Sequence, residues 1–172
     1  YVFVGFNILF FRVLMPLSQS LLANTKVDRV VRESSDSVSI YIRGRKLTRF
    51  GAQAGQFFQV RFLTPELWGQ AHPFSISAVP THNVIRFTIA MRGDATALMQ
   101  QMPKGTRVIL SGPFGVFTQE MRTKRDVVLI AAGIGIPPVR ALAEGLAATA
   151  GDISILYRTR DESDAPLLDE LR

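Results

Sequence analysis

His72-Pro73-Phe74-Ser75-Ile76-Ser77, the stretch HPFSIS, decides how the rest of the chain is read. Pro73 fixes its own backbone and restricts His72 to extended geometry, so the segment starts a strand. Alternation then sends Phe74 and Ser75 to opposite faces. A flat aromatic beside a hydroxyl offers an aromatic ligand a stacking surface and a hydrogen-bond partner for a ring nitrogen. Working outward, the segments 27–33, 37–44, 54–63 and 84–92 also show period-two alternation, and 107–115 reads as a last strand ending in a turn. Val38, Ile40 and Ile42 share one face, as do Phe58, Val60 and Phe62, and as do Ile85, Phe87, Ile89 and Met91. Six short strands with few helices between them predict a small closed antiparallel barrel.

A different rhythm starts at Asp126. The run DVVLIA is continuously apolar, as for a strand buried on both faces. After it come the turn AAGIGIPP (131–138), a helix over about 138–150 and a second apolar strand, DISILYR (152–158). This is the opening of a parallel βαβ unit. Gly133 and Gly135 let the backbone turn tightly beside a bulky anion, and Pro138 suits a first helical turn. The fingerprint Gly-x-Gly-x-x-Gly is not met, because Pro138 stands where the third glycine would be. A second candidate phosphate site is RGDAT, Arg92-Gly93-Asp94-Ala95-Thr96. There Asp94 caps a helix whose Ala95 and Thr96 amides face outward, and Arg92 adds charge.

The 172 residues hold no cysteine, which excludes disulfides and cysteine-ligated zinc or iron–sulfur clusters within them. Two isolated histidines offer no metal pair, so no metal site is expected. A net charge of +6 favours an anionic partner. Its basic residues are scattered rather than interleaved with aromatics, which argues against nucleic acid. Residues 1–11 are almost wholly apolar, with no initiator Met or basic leader before them, so a signal peptide is not expected. They are shorter than the roughly 20 residues a span needs, and Arg12 and Pro16 close the run. The stretch reads as the end of a transmembrane helix, with Lys26, Arg29 and Arg32 indicating a cytoplasmic side. A buried or surface amphipathic helix is the other reading.

In their order, AGQFF, HPFSIS, GDAT, GPFG and AAGIGIPP, preceded by the apolar helix end, resemble the ferredoxin–NADP reductase superfamily. The likeness is greatest to its membrane ferric reductase and NADPH oxidase branch. The resemblance implies a six-stranded antiparallel Greek-key β-barrel that binds FAD, followed by the first part of an α/β parallel-sheet nucleotide-binding domain. It divides the chain into residues 1–22 (end of a transmembrane helix and juxtamembrane segment), 23–118 (FAD barrel) and 126–172 (truncated NAD(P) domain). By the same resemblance His72, Pro73, Phe74, Ser75, Ile76 and Ser77 line the flavin and its phosphates, Phe74 stacks on the ring, and Ser75 is the catalytic hydroxyl near N5. Arg92, Gly93, Asp94, Ala95 and Thr96 would meet the FAD pyrophosphate, and Gly133, Gly135 and Pro138 would shape the NAD(P) site. Pro137 stands where the family usually has Thr, Ala132 where Gly is frequent and Ala95 where Trp is frequent.

The implied activity moves electrons from NAD(P)H through FAD to haem in a membrane portion upstream, and on to an acceptor such as ferric iron or oxygen. Two alternatives stay open: a soluble NAD(P)H-dependent flavin reductase serving a ferredoxin or oxygenase, and a non-catalytic nucleotide-binding, membrane-docked module. Arg158 and Arg160, at the end of the second parallel strand, point to NADPH over NADH.

Overall fold

Alternating strands set the first half of the molecule. In the computed structural model, which describes residues 2–146 and 152–172, β1 (Lys26–Arg32), β2 (Ser37–Arg43) and β5 (Val84–Ala90) form an antiparallel sheet in the order β1-β2-β5. A second sheet has the order β4-β3-β6, from β3 (Phe57–Phe62), β4 (His72–Ser75) and β6 (Val108–Phe114). The apolar faces meet in one core containing Ile40, Ile42, Phe58, Phe62, Phe87 and Leu110. Phe58 sits edge-on to Phe50 and Phe87, with ring centroids 5.8 and 6.1 Å away. Edge-to-face packing of this kind suits the positive rim and negative face of aromatic rings.

The expected six-stranded barrel is not a continuous ladder. Instead the two sheets touch through single bridges, Lys26 to Arg107 at one seam and Ile76 to Phe87 at the other. Register shifts between Val27 and Arg29 and between Phe57 and Gln59 bend β1 and β3 near these seams. Such bulges increase local twist and interrupt pairing.

Pro16 does not end the N-terminal helix. Instead α1 (Val2–Leu9) passes through a π-helical stretch, Phe10–Leu14, into α2 (Met15–Ala23), where the proline occupies the first turn. The wider turn absorbs the missing N–H that would otherwise break the helix. Phe3–Ala23 is consequently long and apolar enough to cross a membrane, and only 17% of its apolar window is buried. Its C-terminal end is held by Ser20, whose hydroxyl accepts the Leu110 N–H at 2.9 Å.

α3 (Asp94–Met99) follows β5. Beyond β6 come β7 (Val127–Ala132), α4 (Ile136–Leu146) and β8 (Ile153–Arg158). β7 and β8 are parallel and in register from Val127–Ile153 to Ala132–Arg158. The helix begins two residues earlier than its pattern predicts, and the expected stretch 147–150 lies outside the described residues. α4 packs Ile136, Val139, Leu142 and Leu146 onto Leu129 and Ala131. β7 is buried on one face only: Val128, Ile130 and, on β8, Leu156 are exposed. One helix covers one side of a two-stranded sheet, and among the described residues nothing covers the other.

Candidate functional site

β4 is an edge strand of its sheet. It pairs with β3 from Val60–His72 to Phe57–Ser75, so each side chain shares a face with its cross-strand partner. Phe74, opposite the fully buried Phe58, leans on the core, and its ring stacks on His72 at 6.1 Å and 13°. Ser75, opposite Phe57, and Pro73, opposite Gln59, share the other face. Beyond Ser75 the chain is drawn to β5: the Ile76 bridge to Phe87 is followed by the Ser77 N–H donating to the Arg86 carbonyl at 2.9 Å. The seam between β4 and β5 is thus closed at the Ile76–Ser77 end, while the edge of β4 that carries Ser75, Phe74 and His72 has no ladder partner on that side among the described residues.

β5 leads from this seam into Arg92, Gly93 and α3. Gly93, not Asp94, is the N-cap residue, and no side-chain bond caps the helix. Thr96 braces the turn instead: its hydroxyl accepts the Arg92 N–H at 2.8 Å and donates to the Gly93 carbonyl at 2.9 Å. The amides of Asp94, Ala95 and Thr96 open the helix and have no intrahelical acceptor. The Arg92 guanidinium lies 3.5 Å from Asp36.

The turn Gly133–Gly135 packs beside β5 and runs directly into α4. Gly133 has φ +49, a left-handed conformation that a Cβ would disfavour. Tyr157 on β8 supports the turn, its hydroxyl lying 3.3 Å from the carbonyl oxygens of Gly133 and Pro166. Desolvation, with Asp164 nearby, pushes this phenol up to about 12. Pro137 is buried and Pro138 half-buried in the first turn of α4. A cleft of about 280 Å³ has Arg92, Gly133 and Arg160 on its walls, together with Asp36 and Asp164. Three stretches far apart in sequence therefore meet at one cleft. Arg158 is exposed at the end of β8, opposite Ala132, and does not line it.

Ile76 and Ser77, among the expected residues, are held inside the fold. Ile76 is wholly buried in the core. Ser77 is also wholly buried: its hydroxyl accepts from Arg86 Nε at 3.0 Å and its carbonyl from Arg86 Nη2 at 2.6 Å. Arg86 and Tyr157 escape a motif-based reading. For Arg86 a local signal exists, a charge in the middle of the apolar strand VIRFTIA. For Tyr157 there is none.

Several features suit a planar aromatic group joined to a diphosphate. His72 Nε2 is buried without a hydrogen-bond partner among the described residues, and burial lowers that imidazole's pKa. The Ser75 hydroxyl is engaged by no other group among the described residues. A Cβ built on Gly93 or Gly133 would meet nothing within 4 Å among the described residues, so open space adjoins both turns. These residues fit FAD and a second nucleotide.

The profile of an FAD-binding domain family matches residues 23–118, more than half of the chain. The ferredoxin reductase component of the 3-ketosteroid-9-alpha-monooxygenase of Mycolicibacterium smegmatis is 29% identical over 168 residues, covering 91% of this chain and 47% of that protein. A probable ferric reductase transmembrane component of Candida albicans is 29% identical over 93 residues, covering 50% of this chain and 14% of that protein. Among solved structures, the flavohemoglobin of Malassezia yamatoensis with bound FAD and heme superposes with a TM-score of 0.72 at 25% identity, covering 93% of this chain and 46% of that one. The chain spans about half or less of the curated relatives it matches. By the match over residues 23–118, with antiparallel sheets followed by a parallel pair, the chain belongs to the FAD-binding domain family of the ferredoxin–NADP reductase superfamily, whose membrane ferric reductase branch is among its relatives.

Proposed function

We propose that this chain is the FAD-carrying electron-transfer part of an NAD(P)H-dependent oxidoreductase, tethered by Phe3–Ala23 to a membrane with its two domains on the cytoplasmic side. The observation that carries it is the half-open β4/β5 seam, with the turn before α3 and the turn before α4 on either side of one cleft. Bound FAD would accept a hydride and release electrons singly, the chemistry that a flavin supplies. The chain's own residues bind, orient and exclude water. Because β4 is an edge strand, one ligand along its free edge reaches side chains of both faces: Phe74 offers a ring surface, and Ser75 a hydrogen bond near N5. The amides of Ala95 and Thr96 and the side chain of Arg92 hold the pyrophosphate. Gly133, Gly135 and Pro138 shape the NAD(P)H site, with Arg160 and Arg158 toward a 2′-phosphate.

The domain division that goes with this reading is a helix and juxtamembrane segment over 1–22, an FAD-binding β-barrel over 23–118 and a nucleotide domain over 126–172. Both seam bridges support closure of the barrel. The electrons pass to haem in a membrane portion and then to ferric iron or oxygen. The relative in the ferric reductase branch and the long apolar helix favour this over a soluble ferredoxin or oxygenase reductase. Purified in detergent, the chain should be yellow or take up FAD stoichiometrically in a titration. A colourless chain that binds no FAD refutes the proposal.

A further inference from the structure

Arg86 projects from β5 with 5% exposure, and the proposed chemistry makes no use of it. Besides Ser77, its guanidinium grips the Glu170 carboxylate with both terminal nitrogens, at 2.6 and 2.9 Å. Tyr41 Oη lies 3.4 Å from the same group. Glu170 belongs to the other unit, in the turn Leu168–Leu171. Its Oε2 also meets Arg140 Nη2 at 2.7 Å, and Arg140 stands on α4, five residues after Gly135. Arg140 pairs with Glu144 as well, and its Nη1 is 3.5 Å from the Ser77 carbonyl. Glu144 in turn accepts the Val79 N–H at 2.7 Å. Two cations and two anions balance, which a half-buried cluster requires. Burial alone would raise the Glu170 carboxyl, but the bonds and charge of Arg86, with Arg140, hold it below the usual range.

We infer that Arg86, Glu170 and Arg140 form a positioning bridge that sets the separation between the flavin strand HPFSIS and the glycine turn of α4. The bridge starts at Ser77, the last residue of the first motif, and ends on the helix that opens from the second. A bidentate arginine–carboxylate pair is planar and directional, so it fixes orientation as well as distance. Hydride transfer is sensitive to such spacing: an error of about 1 Å costs roughly a hundredfold in rate. The functional consequence rests on the flavin reading; the bridge itself does not.

With no native cysteine, the full chain can carry two spin labels without background, one at Gln101→Cys beyond α3 and one at Ser154→Cys on β8. In detergent, pulsed dipolar spectroscopy should give one narrow distance peak. Glu170→Gln, nearly isosteric and outside the flavin strand, should broaden or split it, and Arg140→Gln provides a second route should the first variant fold poorly. FAD uptake should be unchanged in Glu170→Gln, while flavin bleaching at saturating NADPH should slow about ten- to a hundredfold. An unaltered distance distribution in the folded variants overturns the inference. A chain that binds no FAD yet shows the broadening refutes the flavin reading and supports the bridge.

Discussion

Replacing Gly55 with Ala should destabilise the protein by about 2–4 kcal/mol, and replacing Gly51 by only about 1. Both glycines have positive φ, +65 at Gly51 and +88 at Gly55, so either alanine carries a left-handed penalty of about 1–2 kcal/mol. The smaller entropy of an unfolded alanine chain returns about 0.4–1 kcal/mol. At Gly51 nothing among the described residues lies within 4 Å of the added Cβ, and the difference between these two backbone effects is the whole change. At Gly55 the Cβ would stand 1.9 Å from the Phe117 carbonyl oxygen, well under the 3.0 Å that real Cβ atoms keep. One backbone segment has to shift, and overpacking of this kind adds about 1–3 kcal/mol. The neighbouring Gln56 links the strain to the proposed site, because its carbonyl accepts the Ile76 N–H at 2.9 Å and its side chain donates to the Gly115 carbonyl at 3.0 Å. Urea titration of the detergent-solubilised chain is the assay, with the midpoint falling and the slope unchanged. In a thermal scan, the Gly55→Ala loss corresponds to roughly 5–15 °C. Equal losses at Gly51 and Gly55 would show that the contact with Phe117 is not formed.

Ser75→Ala should slow stopped-flow bleaching of the flavin by NAD(P)H far more than it weakens FAD binding, since a bond near N5 acts mainly in the transition state; an unchanged rate removes Ser75 from the site. NADPH should be preferred over NADH by roughly five- to a hundredfold, the equivalent of about 1–3 kcal/mol from one charge-assisted contact to a 2′-phosphate. Arg160→Ala should erase more of that preference than Arg158→Ala, because Arg160 lines the cleft, and equal kcat/KM for the two nucleotides in the wild type counts against both assignments. Tyr157 should resist titration to about pH 12. Its folded pKa is raised, so the stability it contributes is complete below about pH 10, the ordinary tyrosine value, and is lost as pH rises toward 12. Tyr157→Phe should abolish that part of the alkaline unfolding profile, and an identical profile would contradict the assignment.

Sequence alone determined most of the strands and the two turns beside the cleft, but not every inward face. Met91, expected beside Ile85, Phe87 and Ile89, is exposed just past β5, and β7 is buried on one face only. Val38, Ile40 and Ile42, and likewise Phe58, Val60 and Phe62, are buried as their alternation predicts, because period two is a local property of an extended chain. The glycine turn was legible for the same reason, since two glycines between an apolar run and a helix leave few local conformations. Tertiary structure decided what happens to the other half of each alternation. Ser39, Arg86 and Thr88 occupy the positions that a half-solvated strand gives to water, yet all three are buried. Ser39 bonds Thr88 at 2.7 Å, and Arg86 reaches Glu170, eighty-four residues away in sequence. A polar side chain at such a position satisfies the local pattern equally well against solvent or against another domain. For Arg86 the choice is made by the α/β unit, whose Glu170 it meets, and burial obliges each of the three polar groups to find its partner.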